Sequence, residues 1–322
     1  MVTPGYKDIY YLPLHFRKLR IMSTISDDLS PAKLRALLTR DGFVRIPSLL
    51  TPEALASLRA AGERSANLAR NGKWPFVRTL PRQFPPWNSD TGKGIWGVQH
   101  LLHPDLPDHE LFAASYFDFQ IIRVVTDLLQ CSSEDLVMEL YNMLIRPDSD
   151  FALRWHRDDI PPDLAPEEEE KRLKEPALHA QWNLALYDDR SLIAVPGSHL
   201  RARTEVERTA DPFEDNLPGQ EIVEMKAGDI VFYNNNILHR GVYDSKVQRI
   251  TLHGSMGIGG ADPARARNVL QHGVGDWIDR CDFSTLKHDD GDVELGRLAE
   301  KMKAGLIAIG RGGSFGYSQP DE

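Results

Sequence analysis

The sequence is poor in cysteine and has no long apolar run. Cys131 and Cys281 are its two cysteines in 322 residues. So few thiols argue against a disulfide framework and favour an intracellular, reducing compartment, most simply the cytoplasm. No apolar stretch approaches the roughly 20 residues that a membrane-spanning helix needs. The N-terminal segment also lacks the apolar core of a secretory signal, so we expect neither a membrane span nor secretion.

Basic residues are fewer than acidic residues in this chain. The chain has 38 lysines and arginines against 47 aspartates and glutamates, which gives a formal net charge of −9. Such an acidic chain has no general attraction for nucleic acid or for an anionic membrane surface, and we expect neither as a partner. A small-molecule substrate is the partner class that remains, and the sequence carries no signal for an oligomeric state.

Helix-start signals open the patterned part of the chain. Ser30 and Thr51 are each an N-cap residue followed by a proline at the first helical position, and Gly42 ends the first helix. We therefore expect a single domain over residues 30–322, preceded by an extension over residues 1–29. That extension is either poorly ordered or, because it is partly basic, an organelle-targeting segment.

Further along, the pattern changes from helical to strand-like. Residues 73–95, rich in proline, tryptophan and glycine, predict an irregular loop that is either functional or packed on the surface. A helical apolar period over residues 109–131 predicts one core helix. From residue 137 onward, short strands separated by turns are typical of a β-sandwich or jelly roll. Together these elements predict one α+β domain.

Residues 165–176 ("APEEEEKRLKEP") form the densest run of charge in the chain. Acidic and basic residues spaced four apart predict a solvated helix in a loop insertion, which Pro176 ends. Because this segment directly follows a candidate site, a lid over that site is the alternative interpretation.

The candidate site lies in "LRWHRDDIPP", residues 153–162. On an extended strand His156 and Asp158 project to one face, whereas Arg157 and Asp159 face away, toward solvent or a neighbouring side chain. An imidazole and a carboxylate are two of the three ligands of the facial triad in non-haem Fe(II) oxygenases, and the third is a histidine. Alone, this motif is more often a charged surface turn.

The best candidate for the third ligand is His239, in "GDIVFYNNNILHRG". Arg249 follows ten residues later on the next predicted strand. An arginine there could bind a dicarboxylic co-substrate through a bidentate, charge-assisted pair. Burying it among apolar strand residues is costly unless an anion meets it, and an internal salt bridge to an Asp or Glu is the alternative.

The ordered set of His156-x-Asp158, "VPGSH" at residues 195–199, "GDIVFYNNNILHRG" and Arg249 resembles the phytanoyl-CoA dioxygenase family of Fe(II)/2-oxoglutarate oxygenases. "DGFVRIPSLLTPEALASLRA" also resembles the N-terminal strand and helix of that family. The likeness extends over about residues 30–260.

This resemblance implies an α+β fold with a double-stranded β-helix (jelly-roll, cupin-like) core over about residues 95–260, flanked by helices. Residues 261–322 would form a C-terminal helical segment. Fe(II) would be the metal, with 2-oxoglutarate and O2 as co-substrates.

The resemblance also assigns roles to particular residues. His156, Asp158 and His239 would ligate the iron, and Arg249 would bind the distal carboxylate of 2-oxoglutarate. Three more residues are candidates for the co-substrate pocket: Trp182, Asn142 and Arg154. His199, in "PGSH", is expected to be a hydrogen-bonded turn residue and not a ligand.

The reaction implied is oxidation of a small organic metabolite, of the kind found in secondary metabolism, with release of succinate and CO2. Hydroxylation is the default outcome, while desaturation, cyclisation and epoxidation use the same ligands and stay open. Halogenation is disfavoured because related halogenases have a small residue at the position of Asp158. Four residues are candidates for substrate contact, with ordinary packing as the alternative for each: Gln99, Trp96, His103 and His253.

Two other classes of function stay open. A non-catalytic jelly-roll protein that binds a metal or ligand would be expected to have lost a metal ligand or the arginine, and neither is lost here. A zinc hydrolase using the same two histidines and aspartate would not need a buried Arg249.

Overall fold

Two antiparallel β-sheets form the centre of the fold. The computed structural model describes residues 20–80, 94–260, 269–270, 272–286 and 294–310. The strands, in chain order, are β1 (Phe43–Ile46), β2 (Val77–Thr79), β3 (Ile95–Val98), β4 (Leu136–Ile145), β5 (Phe151–Ala152), β6 (His179–Ala185), β7 (Leu192–Ala194), β8 (Glu221–Ile222), β9 (Ile230–Tyr233), β10 (His239–Tyr243) and β11 (Ile250–Ile258). The larger sheet has seven strands in the order β1-β9-β6-β11-β4-β3-β2, and the smaller has four in the order β5-β10-β7-β8.

The described helices surround the two sheets. They are α1 (Pro31–Asp41), α2 (Pro52–Arg70), α3 (His109–Tyr116), α4 (Phe119–Leu129), α5 (Pro166–Leu173), α6 (Glu205–Thr209) and α7 (Glu294–Gly310). The predicted caps are confirmed: Ser30 Oγ accepts from the N–H of Lys33, and Gly42 ends α1 with a φ of 83°. None of the helices that the structure describes is both long and apolar enough to cross a bilayer.

Successive side chains of a strand point to opposite faces of the sheet, so one face packs in an apolar core and the other lines a partly polar cavity. On β6, Trp182 and Leu184 are buried in the main core, which also contains side chains of α2 and α4. Their neighbours Gln181 and Asn183 point to the other face and line a cavity that residues of the smaller sheet also line. The larger sheet therefore has helices on one face and a cavity on the other.

The predicted single helix over residues 109–131 is wrong, because the structure has α3 and α4 with a break at Phe117 and Asp118. The side chain of Asp118 accepts from the N–H of Gln120 and so caps α4. An apolar period gives no sign of such a break, whereas an aspartate competes for backbone N–H groups and starts a new helix.

The predicted extension over residues 1–29 overlaps the ordered fold. Ile21 and Met22 are buried in the main core, and Met22 pairs with Leu50 in an isolated β-bridge. Residues 1–19 lie outside the described residues.

Gly254, in the middle of β11, provides a test of this packing. Its cross-strand neighbours are Tyr141 and Trp182, and an added Cβ would lie 2.4 Å from Cζ2 of Trp182. Because both neighbours are large and buried, we expect Gly254→Ala to lower the free energy of unfolding by about 1–3 kcal/mol, measured by urea denaturation.

Gly62→Ala on α2 is the comparison. Its added methyl would meet only side-chain atoms of Ile250 and Met143, at 3.2 Å or more, and alanine favours the helix. A smaller loss than at Gly254 is expected, and equal losses would contradict the packing described for β11.

Candidate metal centre

Three side chains from two distant segments converge at one end of the cavity. His156, Asp158 and His239, called the metal triad below, each offer one ligand atom, and these atoms all lie within 4.8 Å of one another. Asp158 Oδ1 is 3.5 Å from Nε2 of His156 and 3.7 Å from Nε2 of His239. The structure thus brings together the three residues that the sequence singled out.

Backbone pairing fixes this arrangement. His156 and His239 form an isolated antiparallel bridge, in which each N–H donates to the carbonyl of the other at 3.0 Å. The N–H of Asp158 donates to the carbonyl of Asn235 at 2.8 Å. Both segments are therefore held side by side, and the two imidazoles lie against each other with their ring centroids 4.3 Å apart and their planes tilted by 47°.

Each imidazole is also held in one tautomer. Nδ1 of His156 lies 2.8 Å from the carbonyl oxygen of Arg154, and Nδ1 of His239 lies 2.9 Å from that of Ile237. A carbonyl can only accept, so each Nδ1 carries the proton and each Nε2 is the ligating nitrogen. Burial and repulsion by His156 lower the pKa of His239 to about 4, which keeps this ring neutral near pH 7.

Asp158 is held ionised at the same place. Burial opposes its ionisation, but His239, His156 and the hydrogen bond from Gln181 outweigh burial and lower the pKa of its carboxyl well below the usual range. Gln181 Nε2 donates to Oδ2 at 2.7 Å, which leaves Oδ1 toward the imidazoles. Two imidazole nitrogens and one carboxylate are the donor set of the non-haem Fe(II) facial triad, and they fit that metal.

The cavity beside the triad is lined by both sheets. Its lining includes Leu140 and Leu144 of β4, Asn183 of β6, and Tyr233 of β9. Gly241 and Tyr243 of β10 line it from the smaller sheet. A metal held by the triad would therefore lie at a partly polar cavity between the two sheets.

Arg249 also lines this cavity, and it is only partly engaged. Its Nε donates to Asp189 Oδ2 at 2.8 Å, whereas its Nη1 is buried without a hydrogen-bond partner among the described residues. The internal salt bridge considered from the sequence is thus present, but it occupies one edge of the guanidinium. The other edge keeps an unpartnered donor in a residue of the cavity wall.

Besides Arg249, two further residues hold the carboxylate of Asp189 in place. Thr251 Oγ1 donates to its Oδ2 at 2.6 Å, and the N–H of Ser191 donates to its Oδ1 at 2.7 Å. Burial would raise the pKa of Asp189, but Arg249 and these hydrogen bonds lower it to about 2. This carboxylate therefore holds Arg249 in place as an anion.

The predicted pocket residues divide into two groups. Trp96 and His253 line the cavity, and His253 Nδ1 lies 3.0 Å from Asn183 Oδ1. Trp182 does not line it, because it lies on the opposite face of β6 and packs against Tyr116 and Phe232. The sequence identified β6 correctly but chose the wrong face.

Four more residues that were predicted to line the pocket lie outside the cavity wall. Gln99 is buried outside the lining, and His103 packs against Trp277. Asn142 accepts the backbone N–H of His100 at 3.0 Å. Arg154 contributes its backbone carbonyl to His156, and its side chain is not part of the lining.

His199 is confirmed as a structural residue. Its Nε2 lies 3.0 Å from the carbonyl oxygen of Thr39, and it is not part of the metal triad.

Asp159 and Arg157 differ from each other in placement. Asp159, predicted to face away from the site, lines the cavity and accepts a hydrogen bond from Asn235 Nδ2. Arg157 does point away from the triad, but it is completely buried and donates from Nε to Glu169 Oε1 at 2.8 Å. The prediction for Asp159 is therefore wrong, because the chain leaves the extended conformation after Asp158.

Glu169 joins α5 to the metal-binding segment. It is fully buried and also pairs with Arg203 at 2.6 Å and with Arg208. The predicted solvated helix is correct for Glu170, which pairs with Lys174, but wrong for Glu169. No residue of α5 lines the cavity, so the lid interpretation gains no support.

Several residues that line the cavity were not predicted from the sequence. Gln181 and Asn183 could have been found from the alternation of β6 once its inward face was known. Tyr233 and Tyr243 look like ordinary strand aromatics, and Arg78 lies on a three-residue strand with no motif around it.

A family model described as phytanoyl-CoA dioxygenase matches residues 38–242, more than half of the chain. No curated protein matches the chain in sequence. Among solved structures, AviO1 from Streptomyces viridochromogenes Tue57 has a TM-score of 0.52 and 21% identity, with 73% of this chain and 98% of that chain covered.

Two further structures are similar at a TM-score of 0.50. EctD from S. alaskensis, solved with 2-oxoglutarate and 5-hydroxyectoine, is 16% identical, with 74% of this chain and 80% of that chain covered. The non-heme alpha ketoglutarate dependent carbocyclase SnoK from nogalamycin biosynthesis is 19% identical, with 73% and 87% covered. These likenesses confirm the predicted jelly-roll (double-stranded β-helix) core.

The buried carboxylate of Glu169 yields a stability prediction. Glu169→Gln leaves Arg157, Arg203 and Arg208 around a neutral amide, and removing one partner of a buried ion pair costs roughly 3–5 kcal/mol. We expect a loss of that order in the free energy of unfolding, measured by urea denaturation.

The matched control is Glu170→Gln on the same helix. Glu170 is exposed and pairs only with Lys174 among the described residues, so a change within about 1 kcal/mol is expected. Similar effects of the two variants would show that Glu169 does not anchor α5.

Proposed function

The chain belongs to the phytanoyl-CoA dioxygenase family, and from this premise we propose that it is a non-haem Fe(II)- and 2-oxoglutarate-dependent dioxygenase acting on a small organic metabolite. The observation that carries the proposal is the metal triad beside a cavity whose wall contains Arg249 with an unpartnered Nη1. The three converging ligand atoms distinguish this arrangement from the ion-pair network around Glu169, in which Arg203 and Arg208 also have unpartnered buried donors.

The triad would hold Fe(II) through the two Nε2 atoms and Oδ1 of Asp158. When bound, Fe(II) supplies the activation of O2 that couples decarboxylation of 2-oxoglutarate to oxidation of a substrate C–H bond, with release of succinate and CO2. The protein orients the ligands in advance, since two carbonyls fix the imidazoles and Gln181 fixes the carboxylate.

Arg249 would bind the distal carboxylate of 2-oxoglutarate. Asp189 occupies its Nε edge, so the carboxylate would meet the Nη1 donor. A guanidinium already held in place loses little side-chain entropy when it binds. Tyr243 supports the same orientation, because the guanidinium carbon lies 4.6 Å from its ring centroid.

We propose hydroxylation as the reaction. Oxygen transfer to a single C–H bond needs no second reacting group in the substrate, unlike cyclisation. The carbocyclase SnoK has a similar fold, so substrate placement in the cavity decides the outcome. Trp96 and His253 are the sequence-predicted substrate contacts that line the cavity.

Removing a triad ligand tests the metal site. We expect the wild-type chain to bind a single Fe(II) under anaerobic conditions and His156→Ala to bind it more than about 100-fold more weakly, since even outer-sphere changes cost about 10–100-fold. Metal affinity is measured by anaerobic titration, and succinate formation from 2-oxoglutarate is measured in parallel.

His199→Ala is the matched control, because His199 is also a buried histidine but is bonded to the backbone of Thr39. It should keep the metal. Metal binding without 2-oxoglutarate binding or succinate formation, across a broad metabolite panel, would favour a non-catalytic binding protein. Hydrolysis supported by Zn²⁺ would favour a hydrolase.

Arg249→Lys tests co-substrate binding separately. Lysine keeps the positive charge beside Asp189 but loses the second N–H edge of the guanidinium. We expect the Kd for 2-oxoglutarate to rise about tenfold or more, since a charge-assisted hydrogen bond contributes roughly 1.5–3 kcal/mol, while Fe(II) affinity is unchanged.

The control is Gln248→Ala, because the side chain of Gln248 donates to Glu63 on α2 and does not line the cavity. It should leave both affinities unchanged. An Arg249→Lys chain that binds 2-oxoglutarate as tightly as wild type would overturn the assigned role.

A further inference from the structure

A second guanidinium lines the same cavity. Arg78 lies on β2, and its guanidinium carbon is 5.3 Å from the ring centroid of Trp96. Its Nε is buried without a hydrogen-bond partner among the described residues. Arg78 is therefore presented to the cavity by stacking on an aromatic ring, while part of its donor set is unused.

Arg78, which is partly buried, differs from the buried arginines of the described chain. Arg157 and Arg203 share Glu169, and Arg249 pairs with Asp189. Arg78 forms no salt bridge within the described residues, and burial lowers its pKa. The carboxylate that favours its charged form is Asp158, which is already assigned to the metal.

A partly buried guanidinium that has no carboxylate partner and a buried, unpartnered Nε is costly, and a bound anion offsets that cost. The proposed function places the distal carboxylate of 2-oxoglutarate at Arg249 and its other end at the metal. Both charged groups of the co-substrate thus have partners, and Arg78 is left for another anion. We propose that Arg78 binds a carboxylate of the primary substrate, which makes that substrate a small carboxylic acid.

The cavity composition favours a carboxylate over a phosphate ester or a coenzyme A group. Among the described residues no lysine lines the cavity, and the arginines that line it are Arg78 and Arg249. One available guanidinium matches one carboxylate in the planar, bidentate geometry that arginine prefers. The apolar part of the lining suits a hydrocarbon body, and it consists of Leu140, Leu144, Leu153, Leu192 and Val269.

This inference rests on the proposed function, and it assigns Arg78 to substrate orientation. A carboxylate held at Arg78 leaves the rest of the substrate in the cavity that the metal triad also lines. Fixing one end of the substrate restricts which C–H bond reaches the metal.

The test uses the full chain with and without anaerobic Fe(II) and 2-oxoglutarate. The probes are straight-chain monocarboxylates from acetate to octanoate, their primary amides, and inorganic phosphate. Binding is followed by tryptophan fluorescence, because Trp96 lies against Arg78 and this signal needs no metal. The variants are Arg78→Gln and Arg78→Lys, with Arg190→Gln, an exposed arginine, as the control.

We expect the wild-type chain to bind at least one carboxylate about tenfold or more tightly than its amide, as for a charge-assisted hydrogen bond. Arg78→Gln should abolish that preference, Arg78→Lys should keep part of it, and Arg190→Gln should keep all of it. The Kd for 2-oxoglutarate should stay the same in both Arg78 variants.

Three results would overturn the assignment. One is a wild-type chain that binds no carboxylate better than its amide, and another is tighter binding of phosphate than of every carboxylate. The third is a loss of 2-oxoglutarate affinity in Arg78→Gln with carboxylate binding intact. Failure of the wild-type chain to bind Fe(II) and 2-oxoglutarate would instead contradict the proposed function, and the metal-free fluorescence arm still decides the role of Arg78.

Discussion

The antiparallel pairing of His156 with His239 is the constraint on which the site depends. Two mutual backbone hydrogen bonds at 3.0 Å set the two imidazoles side by side, and their own carbonyl contacts turn both Nε2 atoms toward Asp158. The same pairing sends Arg157 away from the site, to the buried carboxylate of Glu169. One short backbone contact therefore determines both the metal-facing side and the anchored side of this segment.

Buried charge is distributed so that little of it is left uncompensated except in the cavity. Glu169 neutralises Arg157, and Asp189 offsets Arg249 while leaving its Nη1 unpartnered. Arg78 has a cation–π contact with Trp96 but no salt bridge in the described part of the chain. The unpartnered donors of Arg78 and Arg249 belong to the cavity wall, where an anionic small molecule would bind, which connects the electrostatics of the fold to the proposed chemistry.

Sequence reasoning predicted the metal triad and Arg249 because each has a local signal: a His-x-Asp spacing, a histidine after a turn, and a charged residue in an apolar strand. It chose Trp182 on the wrong face of β6, since the alternation of Gln181 and Asn183 with Trp182 and Leu184 defines two faces but does not say which of them lines the cavity. Arg78 and Glu169 gave no signal, because their roles come from long-range contacts that no spacing encodes. The break at Asp118 was also hidden, because the apolar period continues across it.

An anaerobic crystal structure with Fe(II) and 2-oxoglutarate tests the central claim most directly. The account predicts one metal ion about 2.0–2.2 Å from Nε2 of His156, Nε2 of His239 and a carboxylate oxygen of Asp158, the range usual for such ligands. It also predicts the distal carboxylate of 2-oxoglutarate on Arg249, with Asp189 still bonded to Nε. A metal bound elsewhere, or a triad site closed by a further protein ligand, would contradict it.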